Sequence, residues 1–181
     1  TRSAATQLHG RVEATIKRVF GDAERRPPVV QAVPGYIKAD DREAMRLPGF
    51  EVRWDDEDET MQYRGWAAES PKRYLAGPIV VGTVDQVLLS ALQVPHAHMR
   101  GAALLRHFLV VDEVHASDVY MTSLMDRVLD QHLHAGGHAL MMSATLGSAA
   151  RTHLTTANRR EPPAPETADT EDYPLLTHVA A

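Results

Sequence analysis

The stretch HFLVVDEVHA, residues 107–116, runs an apolar strand directly into two neighbouring acids and a histidine. A continuous apolar and β-branched run is typical of a buried parallel strand, and open α/β sheets bind ligands at the carboxyl ends of such strands. Asp112 and Glu113 come at that end. Neighbouring side chains of an extended strand point to opposite sides, so one acid can hold Mg²⁺ through water while the other activates a water. The residues alone equally allow a strand that ends in solvated acids.

The segments before and after this stretch follow a similar pattern. Ile79-Val80-Val81 leads into Gly82-Thr83, and the apolar run at residues 138–142 leads into Ser143-Ala144-Thr145. Helix-like segments follow the first strand at residues 84–92 and the acids at residues 119–134. Strands that alternate with helices predict βαβ units and a parallel sheet.

Elsewhere the chain is predicted in less detail. Residues 1–20 have an apolar face of helical period, and residues 29–33 read as a strand closed by Pro34-Gly35. Residues 38–61 are polar and acidic, and their densest acidic run, residues 55–59, is expected to be a solvated loop. The ten histidines lack a metal-binding pattern such as HExxH, and most are expected to be exposed or locally hydrogen-bonded.

Four motifs of the chain resemble, in their order, those of superfamily two helicases; one of them is the Gly-Thr motif at residues 82–83. VVDEVHA resembles motif II in its DEVH variant, SAT resembles motif III, and the opening TRSAATQLHGRV resembles motif Ia. The stretch KRYLAGPIVVGTVDQVLLSAL, residues 72–92, narrows the resemblance to the CRISPR-associated helicase-nuclease of type I interference systems, as does the later Tyr173-Pro174-Leu175. The resemblance implies an α/β fold with a RecA-like parallel sheet flanked by helices.

The resemblance also implies a division of roles at a nucleotide site that binds ATP and Mg²⁺. Asp112 would hold the metal ion through water, Glu113 would activate the attacking water, and His115 would position the acids or sense the nucleotide phosphate. Ser143 and Thr145 would couple the nucleotide state to strand movement. From the residues alone, the Ser-Ala-Thr stretch is nearly as well read as a small-residue turn from strand to helix.

Motif Ia and the Gly-Thr motif of such helicases contact the backbone of the tracked single strand, and the resemblance carries that role to five positions. They are Thr1, Arg2, Gly82, Thr83 and Gln86. Hydroxyls and helix N-terminal amides are good phosphate donors, and such contacts read no base sequence. Two structural alternatives stay open: Thr83 as an ordinary helix N-cap, and Arg2 as a frayed terminal side chain.

Composition limits the class of protein. A chain of 181 residues with 44% hydrophobic residues can bury one core of ordinary domain size. It has no cysteine, which excludes disulfides and thiolate metal sites. No apolar run approaches the roughly 20 residues that span a bilayer, so we expect no membrane partner and a cytoplasmic location. The net charge of −5 disfavours a surface that is basic throughout but allows a local basic groove.

The sequence contains no glycine-rich phosphate loop that ends in Lys-Ser or Lys-Thr. Gly136-Gly137-His138 has neither the spacing nor the lysine. Since motif Ia already begins at residue 1, we expect an incomplete P-loop NTPase domain that lacks the phosphate-loop strand and does not hydrolyse ATP alone. Residues 1–156 would be this partial first motor domain. Residues 157–181, with three prolines between residues 157 and 172, would be a linker and the start of a following segment.

The resemblance implies that the chain is part of an ATP-dependent helicase that translocates on single-stranded DNA during CRISPR antiviral interference. Its partners would be single-stranded DNA and, in an intact protein, the CRISPR RNA-guided surveillance complex. One alternative is another superfamily two helicase acting on DNA or RNA, since nothing in the residues reports recognition of a 2′-hydroxyl. A second is a catalytically inactive scaffold or interaction module that retains a degenerate helicase fold.

Overall fold

The chain forms two compact units, Thr1–His107 and Phe108–Ala181. A computed structural model of the 181 residues describes positions 1–55, 59–114, 118–156 and 176–179. His115 lies outside the described residues. So do residues 157–175 of the segment predicted as a linker and the start of a following segment, and with them Tyr173-Pro174-Leu175. The expected domain division at residue 156 therefore stays a prediction.

The first unit contains four α-helices and five strands among its described residues. Its helices are α1 (Arg2–Val19), α2 (Glu59–Gly65), α3 (Asp85–Leu88) and α4 (Ala97–Leu104), and short 3₁₀ helices cover Pro48–Phe50 and Tyr74–Ala76. Its strands are β1 (Val29–Ala32), β2 (Lys38–Ala39), β3 (Arg42–Arg46), β4 (Val52–Trp54) and β5 (Ile79–Gly82). The predicted first helix and the strands at residues 29–33 and 79–81 are confirmed. The helix predicted for residues 84–92 is shorter, because turns replace it after Leu88.

Parallel pairing joins β1 to β5 at the side of the sheet that carries the candidate Gly-Thr motif. Among the described residues the sheet has the order β4-β3-β2-β1-β5. The register aligns Val29 with Ile79 and Ala32 with Gly82, and every residue of β1 is buried. Helix α1 packs against both strands. The α/β class with a parallel strand pair flanked by helices is thus confirmed.

The polar segment that begins at residue 38 contains strands that the sequence analysis did not predict. Strands β2, β3 and β4 form an antiparallel extension of the sheet from β1. The extension is stable because Ala39 and Trp54 are buried while the charged side chains of β3 stay exposed. Asp55 is exposed, and residues 56–58 of the acidic run lie outside the described part of the chain. The sequence analysis missed these strands because their alternation between small apolar and charged residues is short.

A hydrophobic core lies between this sheet and the segments around α2. Its buried members are Val30, Ala32, Ala39, Trp54, Met61, Ala67, Ala68 and Tyr74. The Tyr74 hydroxyl donates hydrogen bonds to the carbonyls of Val33 and Tyr36, both at 3.4 Å. This buried phenol therefore fixes the chain that leaves β1 as well as filling space.

A largely buried ion pair ties α2 to the sheet. Nε and Nη2 of Arg64 donate to Oδ2 of Asp40 at 3.0 and 2.8 Å, and Nη1 of Arg64 donates to the carbonyl of Arg26 at 2.9 Å. The other carboxylate oxygen of Asp40 accepts the amide N–H of Val29 at 2.9 Å. Asp40 itself has a φ of +54°, in the left-handed region, at the turn between β2 and β3. One carboxylate thus joins α2, the start of β1 and this turn.

Helix α1 is anchored to β1 by a buried histidine. His9 is 1% exposed, and its Nε2 lies 3.0 Å from the carbonyl oxygen of Val29. A carbonyl only accepts hydrogen bonds, so Nε2 carries the proton that the ring donates. Burial lowers the pKa of His9 below its ordinary value of 6.5, because the charged imidazolium is poorly solvated there. The expectation that most histidines are exposed or only locally bonded is wrong for His9.

We expect acidification to destabilise the first unit through His9. Below pH 6.5 the unfolded chain takes up a proton at this position before the folded chain does, so stability falls as pH falls toward the lowered folded-state pKa. Each pH unit in that window removes about 1.4 kcal/mol. Urea unfolding can be followed by fluorescence of Trp54 and Trp66, the two tryptophans of the chain. His9→Phe should reduce this pH dependence, whereas His98→Gln, at an exposed position, should leave it unchanged; an equal slope in both variants would contradict the assignment.

The second unit is built on one parallel strand pair. Strand β6 (Phe108–Val111) pairs with β7 (His138–Met141), and helices α5 (Val119–His134) and α6 (Ser148–Thr156) follow them. The predicted order of a strand, the acid pair, a helix and a second strand is confirmed, and α5 has the predicted bounds. Burial along β6 alternates, with Leu109 and Val111 buried and Phe108 and Val110 exposed. The strand predicted as buried on both faces is therefore buried on one.

No helix in the described ranges is long and apolar enough to cross a bilayer.

Candidate functional site

The acid pair lies at the carboxyl end of β6, next to the carboxyl end of β7. Beyond the strands the hydrogen bonding continues, because the N–H of Met142 donates to the carbonyl of Val111 at 2.8 Å and the N–H of Val114 donates to that of Met142 at 3.1 Å. These two bonds hold the chain on both sides of Asp112 and Glu113. Both acids are exposed. The predicted position of the acids at a strand end beside a second parallel strand is what the structure has.

Glu113 departs from the extended conformation assumed in the sequence analysis. Its φ is +56°, in the left-handed region that non-glycine residues rarely adopt. Its N–H donates to Oδ1 of Asp112 at 3.0 Å, which closes the turn. A left-handed residue costs about 1–2 kcal/mol, so the neighbouring ladder bonds must hold it. The two carboxylates are therefore set by a tight turn, not by strand alternation.

Asp112 has the donor chemistry for a divalent cation. Carboxylate oxygens are the ligands that Mg²⁺ prefers, and an ionised carboxylate can accept further bonds while Oδ1 holds the N–H of Glu113. The carboxylate is exposed, which suits binding through water. Within the described residues no cluster of three or more potential ligands forms an all-protein metal site. A metal ion at Asp112 would thus need water and phosphate oxygens to complete its ligands.

The Ser-Ala-Thr stretch forms a turn between β7 and α6. Ser143 is half-buried, and its Oγ donates to the carbonyl of Thr145 at 2.8 Å. Thr145 is exposed. Both residues follow β7 in the same unit as the acid pair, so the structure places the two predicted motifs at the ends of paired strands.

Thr1 and Arg2 begin the first helix. The hydroxyl of Thr1 accepts the N–H of Ala4 at 3.3 Å, and its carbonyl accepts that of Ala5 at 3.1 Å. Thr1 is thus the N-cap of α1, and Arg2, the first helical residue, is exposed. A capped helix N-terminus with a cation beside it suits an anion. The backbone of Arg2 is helical and its side chain is exposed, so the alternative of a frayed terminal side chain stays open.

Gly82 ends β5 where the two parallel strands approach most closely. A Cβ at this position would lie 2.4 Å from the carbonyl oxygen of Ala32, so packing alone requires glycine here. Thr83 follows and is half-buried. The N-cap position of α3 is Val84, without a side-chain cap. The alternative of Thr83 as an ordinary helix N-cap is therefore wrong.

Gln86 is the predicted contact residue that is not at the surface. It is 6% exposed, and its Oε1 has no hydrogen-bond partner among the described residues. Gly82 and Thr83 lie in the same segment, before α3. Because the Gln86 amide is buried next to the candidate phosphate-binding loop, it is better placed to support that loop than to contact a nucleic-acid strand.

One of the clustered histidines of the second unit, His132, is buried and serves packing. His132 is 1% exposed, and its Nε2 lies 3.1 Å from the carbonyl oxygen of His138, to which it donates. A Cβ at Gly137 would lie 2.5 Å from the His132 ring, so the glycine makes room for it. The structure also shows a pair that sequence reasoning missed: Nε2 of His153 on α6 lies 2.8 Å from Oδ1 of Asp126 on α5. No short-range motif signals partners this far apart in the chain.

Comparison with known proteins supplies relatives for most of the chain. No protein-family model matches it. Over 81 residues, 45% of the chain, it is 46% identical to the CRISPR-associated endonuclease/helicase Cas3 of Escherichia coli strain K12. Over 162 residues, 87% of the chain, it is 32% identical to the protein of the same name from Thermus thermophilus. The chain spans 9% and 17% of the lengths of these relatives.

The fold has counterparts among solved structures. The crystal structure of T. fusca Cas3 with AMPPNP superposes with a TM-score of 0.63 at 28% identity, covering 90% of this chain and 18% of that one. Another crystal structure of T. fusca Cas3 gives the same TM-score at 25% identity over 87% of this chain and 16% of that one. The likeness therefore includes both units of the chain.

The matched structures place this chain in the helicase class, and its parallel strand pairs flanked by helices agree with a RecA-like region of that class. The relatives identify the family within this class. The chain belongs to the CRISPR-associated helicase-nucleases, of which it represents a part of the helicase region.

Proposed function

We propose that this chain is part of an ATP-driven motor that moves along single-stranded DNA during CRISPR interference. The observation that carries the proposal is the placement of Asp112 and Glu113 at the end of β6, bonded through Val114 to the end of β7. Family membership supports the same reading and favours it over another superfamily two helicase.

At the nucleotide site, Asp112 would hold Mg²⁺ through water and Glu113 would orient and deprotonate the attacking water. When bound, Mg²⁺ supplies positive charge that neutralises the transferred phosphoryl group. The relative solved with AMPPNP supports nucleotide binding. The exposure of both carboxylates leaves them accessible to a nucleotide and its waters. His115 would position the acids, and Ser143 with Thr145 would pass the nucleotide state to α6.

The single strand would be held through its phosphates. The capped N-terminus of α1 with Thr1 and Arg2 offers amides and one cation, and the Gly82-Thr83 turn offers backbone and a hydroxyl. Gln86 would support that turn from within. Contacts of this kind bind any sequence, as a motor that moves along DNA requires. The motor would work in the cytoplasm with the CRISPR RNA-guided surveillance complex as its partner.

The chain by itself should lack ATPase activity. Phosphoryl transfer relies on backbone amides and a lysine around the phosphates, and the 181 residues contain no glycine-rich loop with that lysine. By a complete motor we mean this chain joined to a phosphate loop and a second RecA-like domain. We expect turnover stimulated by single-stranded DNA in the complete motor and none in the purified chain, measured as phosphate release with and without DNA. Robust turnover by the chain would overturn the inactivity, and a complete motor indifferent to DNA would overturn the motor function.

A further inference from the structure

A side-chain pair joins the two helices that follow the candidate motifs of the second unit. Helix α5 follows the acid pair, and α6 follows the Ser-Ala-Thr turn. Nε2 of His153 on α6 lies 2.8 Å from Oδ1 of Asp126 on α5. The side chains are 23% and 36% exposed, respectively. Since an ionised carboxylate only accepts hydrogen bonds, the ring nitrogen is the donor.

The chain between each motif and its helix is short. Asp118 caps α5 by accepting the N–H of Met121 at 2.7 Å, five residues beyond Glu113 in the sequence. Helix α6 begins at Ser148, three residues beyond Thr145. The acid pair and the Ser-Ala-Thr turn are thus each followed by a helix within a few residues of sequence. The His153–Asp126 hydrogen bond links these two helices directly.

A second histidine–aspartate pair on α5 offers a built-in comparison. Nδ1 of His134 lies 3.2 Å from Oδ1 of Asp130. Both residues belong to the same helix, and their side chains are 70% and 62% exposed. Exposed pairs of this kind contribute little, and this one joins no second element. The His134–Asp130 pair has the same two side-chain types as the His153–Asp126 pair, but it does not connect two helices.

We propose that Asp126 and His153 are positioning residues that couple the acid-pair turn to the Ser-Ala-Thr turn during ATP turnover. The inference rests on the proposed motor function and adds to it a specific link between the helices that follow the two motifs. The hydrogen bond, rather than the charge, performs this role. Without it, α6 no longer follows α5, so nucleotide still binds but DNA-stimulated turnover slows.

The test compares variants of the complete motor. Asp126→Ala and His153→Ala should each lower the DNA-stimulated kcat about tenfold while the KM for ATP changes less than about twofold, because neither residue contacts the nucleotide site. The double variant should be no slower than either single variant, since one bond is lost in each case. Asp126→Asn and His153→Gln preserve an acceptor and a donor and should retain most of the turnover. Asp130→Ala, in the comparison pair, should match the unaltered motor.

Each outcome decides the matter. Equal kcat in the unaltered motor and in both alanine variants would overturn the coupling while leaving the motor function intact. Loss of kcat in Asp130→Ala equal to that in Asp126→Ala would also overturn it, since position between helices would then be irrelevant. A motor without DNA-stimulated turnover would overturn the proposed function and this inference together. Where an alanine variant unfolds, the conservative variants still decide, because His153→Gln must remain active.

Discussion

In the complete motor, Glu113→Gln should lower ATP hydrolysis by at least about 100-fold, the range that a general base contributes. Glutamine has nearly the shape of glutamate but cannot accept the proton of the attacking water. Nucleotide affinity should change little, because Asp112 and its bond from the N–H of residue 113 remain. Steady-state phosphate release with single-stranded DNA and titration with a fluorescent nucleotide measure the two quantities. Asp130→Asn, at an exposed position of α5, is the control and should turn over normally.

The left-handed conformation of Glu113 allows a second test of the same assignment. Glycine adopts a φ of +56° without the cost that other residues bear. Glu113→Gly should therefore raise the free energy of unfolding of the second unit by up to about 1 kcal/mol while hydrolysis is lost. More stability with less activity would mark Glu113 as a residue kept for chemistry. Normal turnover in either variant would show that another group activates the water.

The long, regular elements could be predicted from the sequence because their patterns are local. Helix α5 has the predicted bounds, since its apolar stripe persists for several turns and Asp118 provides a cap at its start. Strands β1, β5, β6 and β7 were predicted from apolar runs with small or polar ends. Strands β2, β3 and β4 were not, because two to five residues rich in charge give no clear period.

The candidate site could be predicted in its residues but not in its geometry. The position of Asp112 and Glu113 at a strand end follows from local sequence, whereas the φ of Glu113 depends on bonds to β7, a strand far along the chain. The burial of Gln86 likewise depends on packing around α3. The His153–Asp126 pair joins two helices that no spacing rule relates. Contacts between distant residues are what the sequence pattern leaves out.

Arg64→Ala should lower the free energy of unfolding of the first unit by about 3 kcal/mol, the lower end of the range for breaking a buried ion pair. The arginine side chain is 23% exposed and that of Asp40 is 10% exposed, so solvent replaces little of the lost interaction. The substitution also removes the donor to the carbonyl of Arg26. Urea unfolding followed by tryptophan fluorescence reports this unit, because Trp54 and Trp66 both lie in it. Lys38→Ala is the matched control: its partner Glu43 is 60% exposed, so the loss should stay below about 1 kcal/mol.

The cause of that loss can be separated by adding Asp40→Asn to Arg64→Ala. Asparagine tolerates the left-handed turn at residue 40 and its side-chain oxygen can still accept the N–H of Val29, but it carries no charge. If the cost of Arg64→Ala is mainly an unpaired carboxylate in a poorly solvated place, the double variant should be more stable than Arg64→Ala alone. If it is no more stable, the loss comes from the arginine's packing and its bond to Arg26, and the ion pair contributes little. The first result would mean that the Asp40 carboxylate stabilises the fold only while Arg64 of α2 is paired with it. The sheet would then depend on α2 through the charge of Asp40.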